Sequence, residues 1–265
     1  MDKSVKWLLI IMAVAAALRV LLFVVIYPDE NKFFRTDSYH YDLLAINLIE
    51  HPIFSSSFGA LRPPAYPLFL AFVYAVLGHK PFIAILLQIP LDLITLYVTY
   101  KIGEILFSRA IGVVGASFVA MDIGQILYTN QLLRETLLTC LLSLSIYYLL
   151  RFFREERVRY GVWAGFSLGA TALCSTIAFY LPVFLMIPFL ARYNNALLSG
   201  LRKYAIVLLC FLAMIMPWLG RNYYVFGVLN FTTNQGHRLL LFNVRYLRAR
   251  TGNMGLGRGS AGTRA

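Results

Sequence analysis

The sequence predicts an all-α polytopic membrane protein with about seven transmembrane helices plus external juxtamembrane helices. Three observations predict it. The 265 residues are 60% hydrophobic and only 14% charged, where a soluble domain carries about a quarter charged residues. The apolar residues come in runs near the length that crosses a bilayer, about 20 residues. The basic residues gather in short clusters between those runs, as do the loops that orient a membrane protein.

Residues 7–27 form the first apolar run, preceded by Lys3 and Lys6. The length of the run, with no small-x-small cleavage site after it, predicts an uncleaved first helix rather than a signal peptide. Residues 28–63 read as the first external loop. Residues 64–78 are apolar but short and carry Pro67, which predicts a juxtamembrane or re-entrant helix rather than a span. Further spans are predicted at 82–100, 110–128, 136–150, 160–175, 177–190 and 204–219, within a membrane domain covering residues 1–243. Residues 244–265 are rich in glycine and arginine without apolar periodicity and predict a disordered basic tail. Cys140, Cys174 and Cys210 lie inside apolar runs and read as packing residues rather than disulfides or ligands. No zinc spacing, P-loop or dinucleotide fingerprint occurs, and no metal site is predicted.

With these spans, the N-terminus and the basic clusters at 101–109, 151–159 and 192–203 share one side. The positive-inside rule puts that side in the cytoplasm and the loop around Asp37 on the external face of the inner (plasma) membrane. Counting 64–78 as a span would send the cluster at 151–159 outside, against the rule. Orientation thus accounts for the formal charge of +12, and nucleic acid is not a predicted partner.

This topology gathers polar residues on one face. Asp37, His40, Tyr41, Asp42 and Arg62 lie in the first loop, Arg134 and Glu135 open the fourth span, and Arg221 follows the seventh. Asp37 reads as the N-cap of a short interfacial helix around Leu43–44 and Ile46, as a catalytic carboxylate, or as both. Glu135, at the edge of an apolar span, is costly unless it is paired or lines a wet cavity, so it is a functional candidate. Its alternative is a local pair with Arg134. Arg62 reads as a snorkelling interfacial residue or as a phosphate clamp, because a guanidinium fork matches phosphate oxygens. Arg221 admits the same two readings. His40 reads as an ordinary loop histidine or as a substrate-binding group. Inside the spans, Arg19, Asp92 and Asp122 are intramembrane charges, and an Arg19–Asp92 pair would be structural.

Read in order, several of these stretches resemble the GT-C superfamily of membrane glycosyltransferases, especially bacterial relatives of the protein O-mannosyltransferases and the lipid A aminoarabinose transferase. They are Asp37 with Tyr41, then Arg62-Pro63-Pro64-Ala65-Tyr66-Pro67, then Leu133-Arg134-Glu135-Thr136. The last is Pro217-Trp218-Leu219-Gly220-Arg221-Asn222-Tyr223 followed by Phe226-Gly227. The resemblance implies a polyprenyl-phosphate-linked sugar donor, a lipid, glycan or protein acceptor, and transfer on the external face. It implies that Asp37 is the catalytic carboxylate that activates or positions the acceptor, and that Glu135 matches a second acidic position. Arg62 would be the basic residue near the donor phosphate. Tyr41, Arg62, Arg221 and His40 are the substrate-binding candidates. Ser38 stands where a second acid often lies beside the first aspartate, which weakens a metal proposal there. The cofactor is unknown, and a divalent metal stays open. Members of this family usually continue with further spans and often an external domain, so the C-terminal stretch reads as the end of a truncated or frameshifted product or as a genuine short tail.

Two other function classes compete. A transporter or flippase for a lipid-linked saccharide predicts internal repeats and a polar path across the bilayer, and no clear repeat is visible. A non-catalytic membrane partner is the third reading, in keeping with a shortened chain.

Overall fold

In lipid every backbone N–H and C=O must find an internal partner, so long apolar runs fold as helices. The structure, a computed structural model, describes residues 3–27, 30–34, 36–51, 62–193, 196–227, 229 and 231–232. Residues 52–61 of the first loop and the tail at 244–265 lie outside the described residues. Among the described residues no strand occurs. In chain order the helices are α1 (Lys3–Ile26), α2 (Thr36–Glu50), α3 (Ala65–Leu77), α4 (Pro81–Leu106) and α5 (Arg109–Met121). They continue as α6 (Ile123–Thr129), α7 (Glu135–Glu155), α8 (Val158–Cys174), α9 (Leu181–Ala191) and α10 (Leu197–Phe226). Short 3-10 turns occupy Glu30–Phe33 and Thr176–Tyr180.

Four helices, α1, α4, α7 and α10, are long and apolar enough to cross a membrane, and α5 with α6 makes a fifth if that bent pair is one span. The sequence expects about seven. The difference lies in two places. Helix α8 has 17 residues, at the lower limit of spanning length, about 17. The run at 177–190 divides into a 3-10 turn and α9, whose start carries Pro182; proline has no N–H to continue an incoming helix but is well placed in a first turn. Helix α3, with 13 residues, is about 20 Å long and too short to cross, as the sequence expects.

The bend of 57° between α5 and α6 falls at Asp122. Its carboxylate accepts from the amides of Gly124 (2.7 Å) and Gln125 (3.3 Å) and so caps α6. A break of this kind leaves the last carbonyls of α5 short of helical donors, although the Asp122 amide reaches Val119 O at 3.4 Å. Arg19 of α1 supplies others. Its Nη1 donates to Ala120 O at 2.8 Å and its Nη2 to Val119 O at 3.2 Å, while Nε donates to Asp92 Oδ2 of α4 at 2.6 Å. Arg19 and Asp92 are both 0% exposed, so the pair that the sequence places inside the membrane is a structural joint of three helices.

Close helix contact depends on small residues. A Cβ on Gly165 of α8 would lie 2.5 Å from Val207 O, and one on Gly169 would lie 2.5 Å from Met214 Cβ. These two glycines, one turn apart, let α8 and α10 touch backbone to backbone. The α7–α8–α10 core holds Phe152, Leu168, Phe211 and Ile215. A second core under α2 and α3 holds Phe33, Tyr41, Tyr66, Leu70 and Tyr74. Outside these cores, large apolar side chains such as Leu9, Leu21 and Val25 on α1 or Phe184 and Ile187 on α9 are exposed, as befits a multi-pass membrane protein whose outer faces meet lipid.

Replacing Arg19 by Leu leaves Asp92 buried without its partner and removes donors from the α5 carbonyls. The expected loss is about 3–5 kcal/mol, read as a lower thermal unfolding midpoint in detergent. Combining Arg19→Leu with Asp92→Leu is expected to recover most of that loss in the same measurement.

Candidate functional site

Helix α2 packs on α3 through Tyr41 and Ala45, and Ser38 and Leu44 are buried as well. It begins at Thr36, so Asp37 lies in the first turn rather than at the N-cap, where the helix dipole still favours a negative group. The Asp37 Oδ1 accepts from Arg62 Nη2 at 2.7 Å. The Arg62 guanidinium also lies 5.6 Å from the centre of the Tyr41 ring, within cation–π range. Tyr41 in turn stands edge-on to Tyr66 at 5.0 Å. The Tyr66 hydroxyl donates to Gln88 Oε1 of α4 at 2.9 Å, and Gln88 Nε2 donates to the carbonyls of Thr129 (3.0 Å) and Gln131 (2.8 Å). This chain of contacts holds the segment that leads into Arg134 and Glu135 beneath α2 and α3. Leu132 N, donating to Phe33 O at 3.2 Å, adds a second tie.

Arg134 Nη1 donates to Cys174 O at 3.3 Å, in the last turn of α8, where a cation meets the negative end of the helix. Its Nε lies 3.6 Å from Glu135 Oε1, an ion pair too long to be a hydrogen bond. Glu135 Oε2 and Arg134 Nε are buried and lack a hydrogen-bond partner among the described residues. Buried polar atoms left open in this way are costly. A glutamate in that condition at a helix end suits a site that receives a polar ligand.

Tyr41 connects the two charged pairs. Burial pushes its hydroxyl up to about 12, while Arg134 and Arg62 pull it down and Glu135 and Asp37 push it further up. All four charges therefore act on one hydroxyl, which remains a neutral donor. The structure thus brings Asp37, Tyr41, Arg62 and Glu135 together and adds Arg134. Tyr41 is 1% exposed, with its ring against the Arg62 guanidinium.

Arg221 lies beside this cluster. It is 2% exposed at the end of α10, which argues against snorkelling. Its guanidinium is flanked by the rings of Trp218 (5.0 Å) and Phe226 (5.2 Å), and its Nη1 donates to Asn222 Oδ1 at 2.9 Å. Arg221 shares a cavity of about 310 Å³ with Pro64, Leu68, Leu173, Pro217 and Trp218. Pro64 follows Arg62 by two residues and Leu173 precedes Cys174, so the cavity adjoins the charged cluster. His40 is exposed on α2. A histidine also faces an acid: His79 Nε2 lies 3.0 Å from Asp42 Oδ1. The Tyr74 hydroxyl donates to the same oxygen at 2.7 Å; burial and then Asp42 push that hydroxyl well above its ordinary range. Sequence reasoning missed His79 because no periodicity joins it to Asp42 across the α2–α3 connection. The only available signal was that both fall on the predicted external side. Among the described residues no group of three or more His, Cys, Asp or Glu is placed to hold a metal ion.

A family model described as dolichyl-phosphate-mannose-protein mannosyltransferase matches residues 61–220, more than half of the 265 residues. The match takes in Arg62, Arg134 and Glu135 and stops just before Arg221. No curated protein matches the chain.

Asp42→Ala removes the acceptor of Tyr74 and the partner of His79. It is expected to loosen α2 by about 1–3 kcal/mol. Amide hydrogen exchange checks this: α2 should exchange faster while protection in α8 and α10 is unchanged.

Proposed function

The chain belongs to the dolichyl-phosphate-mannose-protein mannosyltransferase family, whose members are membrane glycosyltransferases of the GT-C type, and we propose that it transfers a sugar from a polyprenyl-phosphate-linked donor to an acceptor at the external membrane face. The observation that carries this reading is the joining of two features. Asp37, Arg62, Arg134 and Glu135 crowd one end of the helix bundle, and a largely apolar cavity with Arg221 in its wall opens beside them. A carboxylate next to cations, beside an apolar slot, matches a substrate with a sugar, a phosphate and a lipid tail.

In this reading the acceptor hydroxyl is positioned by Asp37, which takes its proton as the oxygen attacks the anomeric carbon. The bond from that carbon to the phosphate oxygen breaks, and the polyprenyl phosphate leaves. Arg62 and Arg221 stabilise the charge that grows on the leaving phosphate. Arg62 pairs with Asp37 at 2.7 Å, so donor binding exchanges one anion for another on the same guanidinium. Glu135, held by Arg134 at one carboxylate oxygen and open at the other, orients sugar or acceptor. The cavity along Pro64, Leu68 and Met214 takes the first part of the lipid tail. The acceptor is a lipid, glycan or protein hydroxyl.

The matching topology has seven crossings, with α8 counted as one and the Thr176–Tyr180 turn plus α9 as another. The basic turns after α7 and α9 then face the cytoplasm together with the N-terminus. The Asp37 cluster faces outward from the plasma membrane.

Asp37→Asn keeps the side chain's size and removes its charge. Transfer measured with lipid-linked sugar donors is expected to vanish while the protein inserts normally; undiminished transfer would reject the catalytic role. Arg62→Ala is expected to weaken donor binding by roughly 2–4 kcal/mol, and Arg62→Lys by less, since the charge survives but the fork does not. Wild-type donor affinity in Arg62→Ala would remove the phosphate contact from the mechanism. For topology, a cysteine in place of Ser199 should resist an impermeant thiol reagent applied outside intact cells, and its labelling would reverse the orientation.

A further inference from the structure

The end of the bundle far from the Asp37 cluster has its own pocket. Helices α7 and α9 meet through the rings of Phe152, Phe153 and Phe189, and alongside those rings lies a groove of about 180 Å³. Ile146, Leu150 and Phe153 on α7 and Leu185, Pro188 and Phe189 on α9 line it, and every lining residue is apolar. Its floor is rigid: Phe189 is 2% exposed, stacks on Phe152 at 5.6 Å and packs against Tyr204 at 5.1 Å. Tyr204 donates to Pro182 O at 2.6 Å and so fixes α9 against α10.

Cations stand at the mouth of this groove. The Arg192 guanidinium lies 4.8 Å from the centre of the Phe153 ring, which is one wall. Arg154, the next residue along α7, is exposed in its last turn. Neither arginine forms an ion pair among the described residues. The nearby acids are bonded to other groups: Glu155 to Arg151 and Arg157, and Glu156, which feels Arg192 only at longer range, to Lys203 and the Tyr193 hydroxyl. An apolar slot between membrane helices with two arginines lacking ion pairs above it is complementary to a lipid with a negative headgroup.

We propose that the α7–α9 groove binds an anionic diacyl phospholipid, with part of one acyl chain in the groove and the phosphate on Arg192 and Arg154. The site is separate from the proposed donor site. Phe153 lies 18 residues beyond Glu135 on one continuous helix, about 27 Å away.

The test is native mass spectrometry of the full chain, purified in detergent, with equimolar phosphatidylglycerol and phosphatidylcholine bearing identical acyl chains. The expected result is a roughly tenfold preference for phosphatidylglycerol. Arg154→Gln combined with Arg192→Gln should abolish the preference, and Leu185→Trp, which fills the groove, should lower retention of both lipids. The two glutamine substitutions are at the surface, so they remain informative if Leu185→Trp folds poorly. Equal retention of the two lipids by the parent chain overturns the proposal, as does a preference that survives in the double glutamine variant. Addition of polyprenyl phosphate should leave the phosphatidylglycerol in place; its displacement would overturn the assignment to a diacyl lipid and give the groove to the donor instead.

Discussion

The buried pair of Arg19 and Asp92 is the joint on which the rest of this molecule depends. A chain in lipid has no water to repair a broken helix, yet the apolar run at 110–128 breaks at Asp122. The break is tolerable because Arg19 donates to Ala120 O and joins the Asp122 amide on Val119 O, and because Asp92 balances the guanidinium. The turn that results directs α6 back toward α4. There Gln88 receives it through the carbonyls of Thr129 and Gln131. Without that return, the start of α7 would have no reason to lie under α2 and α3.

The charged cluster follows from this geometry. It is assembled from four distant stretches, α2, the segment before α3, the start of α7 and the end of α8. Each stretch is held by a named contact: Asp37 with Arg62, Tyr66 with Gln88, and Arg134 with Cys174. These contacts satisfy most polar groups and leave Glu135 Oε2 and Arg134 Nε open. Six buried side-chain polar atoms lack a hydrogen-bond partner among the described residues, and three of them, Arg134 Nε, Glu135 Oε2 and Thr136 Oγ1, are on consecutive residues at the start of α7.

The two ends of the bundle solve different problems with similar residues. At the Asp37 end, half-buried Arg62 pairs with Asp37, half-buried Arg134 pairs with its neighbour Glu135, and Arg221 is buried. At the other end, Arg151, Arg159, Arg192 and Lys203 lie over aromatic rings, where a cation gains from the ring face while keeping its contact with headgroups and water.

Much of this was legible in the sequence. Each apolar run from 82–100 to 204–219 corresponds to one of the helices α4 to α10 or to a bent pair of them, because helix formation in lipid is a local requirement that composition alone reveals. The short helix after Pro64 and the helix around Leu44 were legible for the same reason. The grouping of Asp37, Arg62 and Glu135 on one face followed from counting crossings. Tertiary structure alone decided what those groups touch. Arg62 is paired with Asp37, Tyr41 is buried beneath both, Asp42 answers to His79, and Arg221 is turned into a cavity beside Pro64. None of these pairings has a period or a spacing, since each joins segments whose distance is set by how helices pack. Local chemistry thus determined which segments enter the membrane, and packing between distant helices determined which side chains meet.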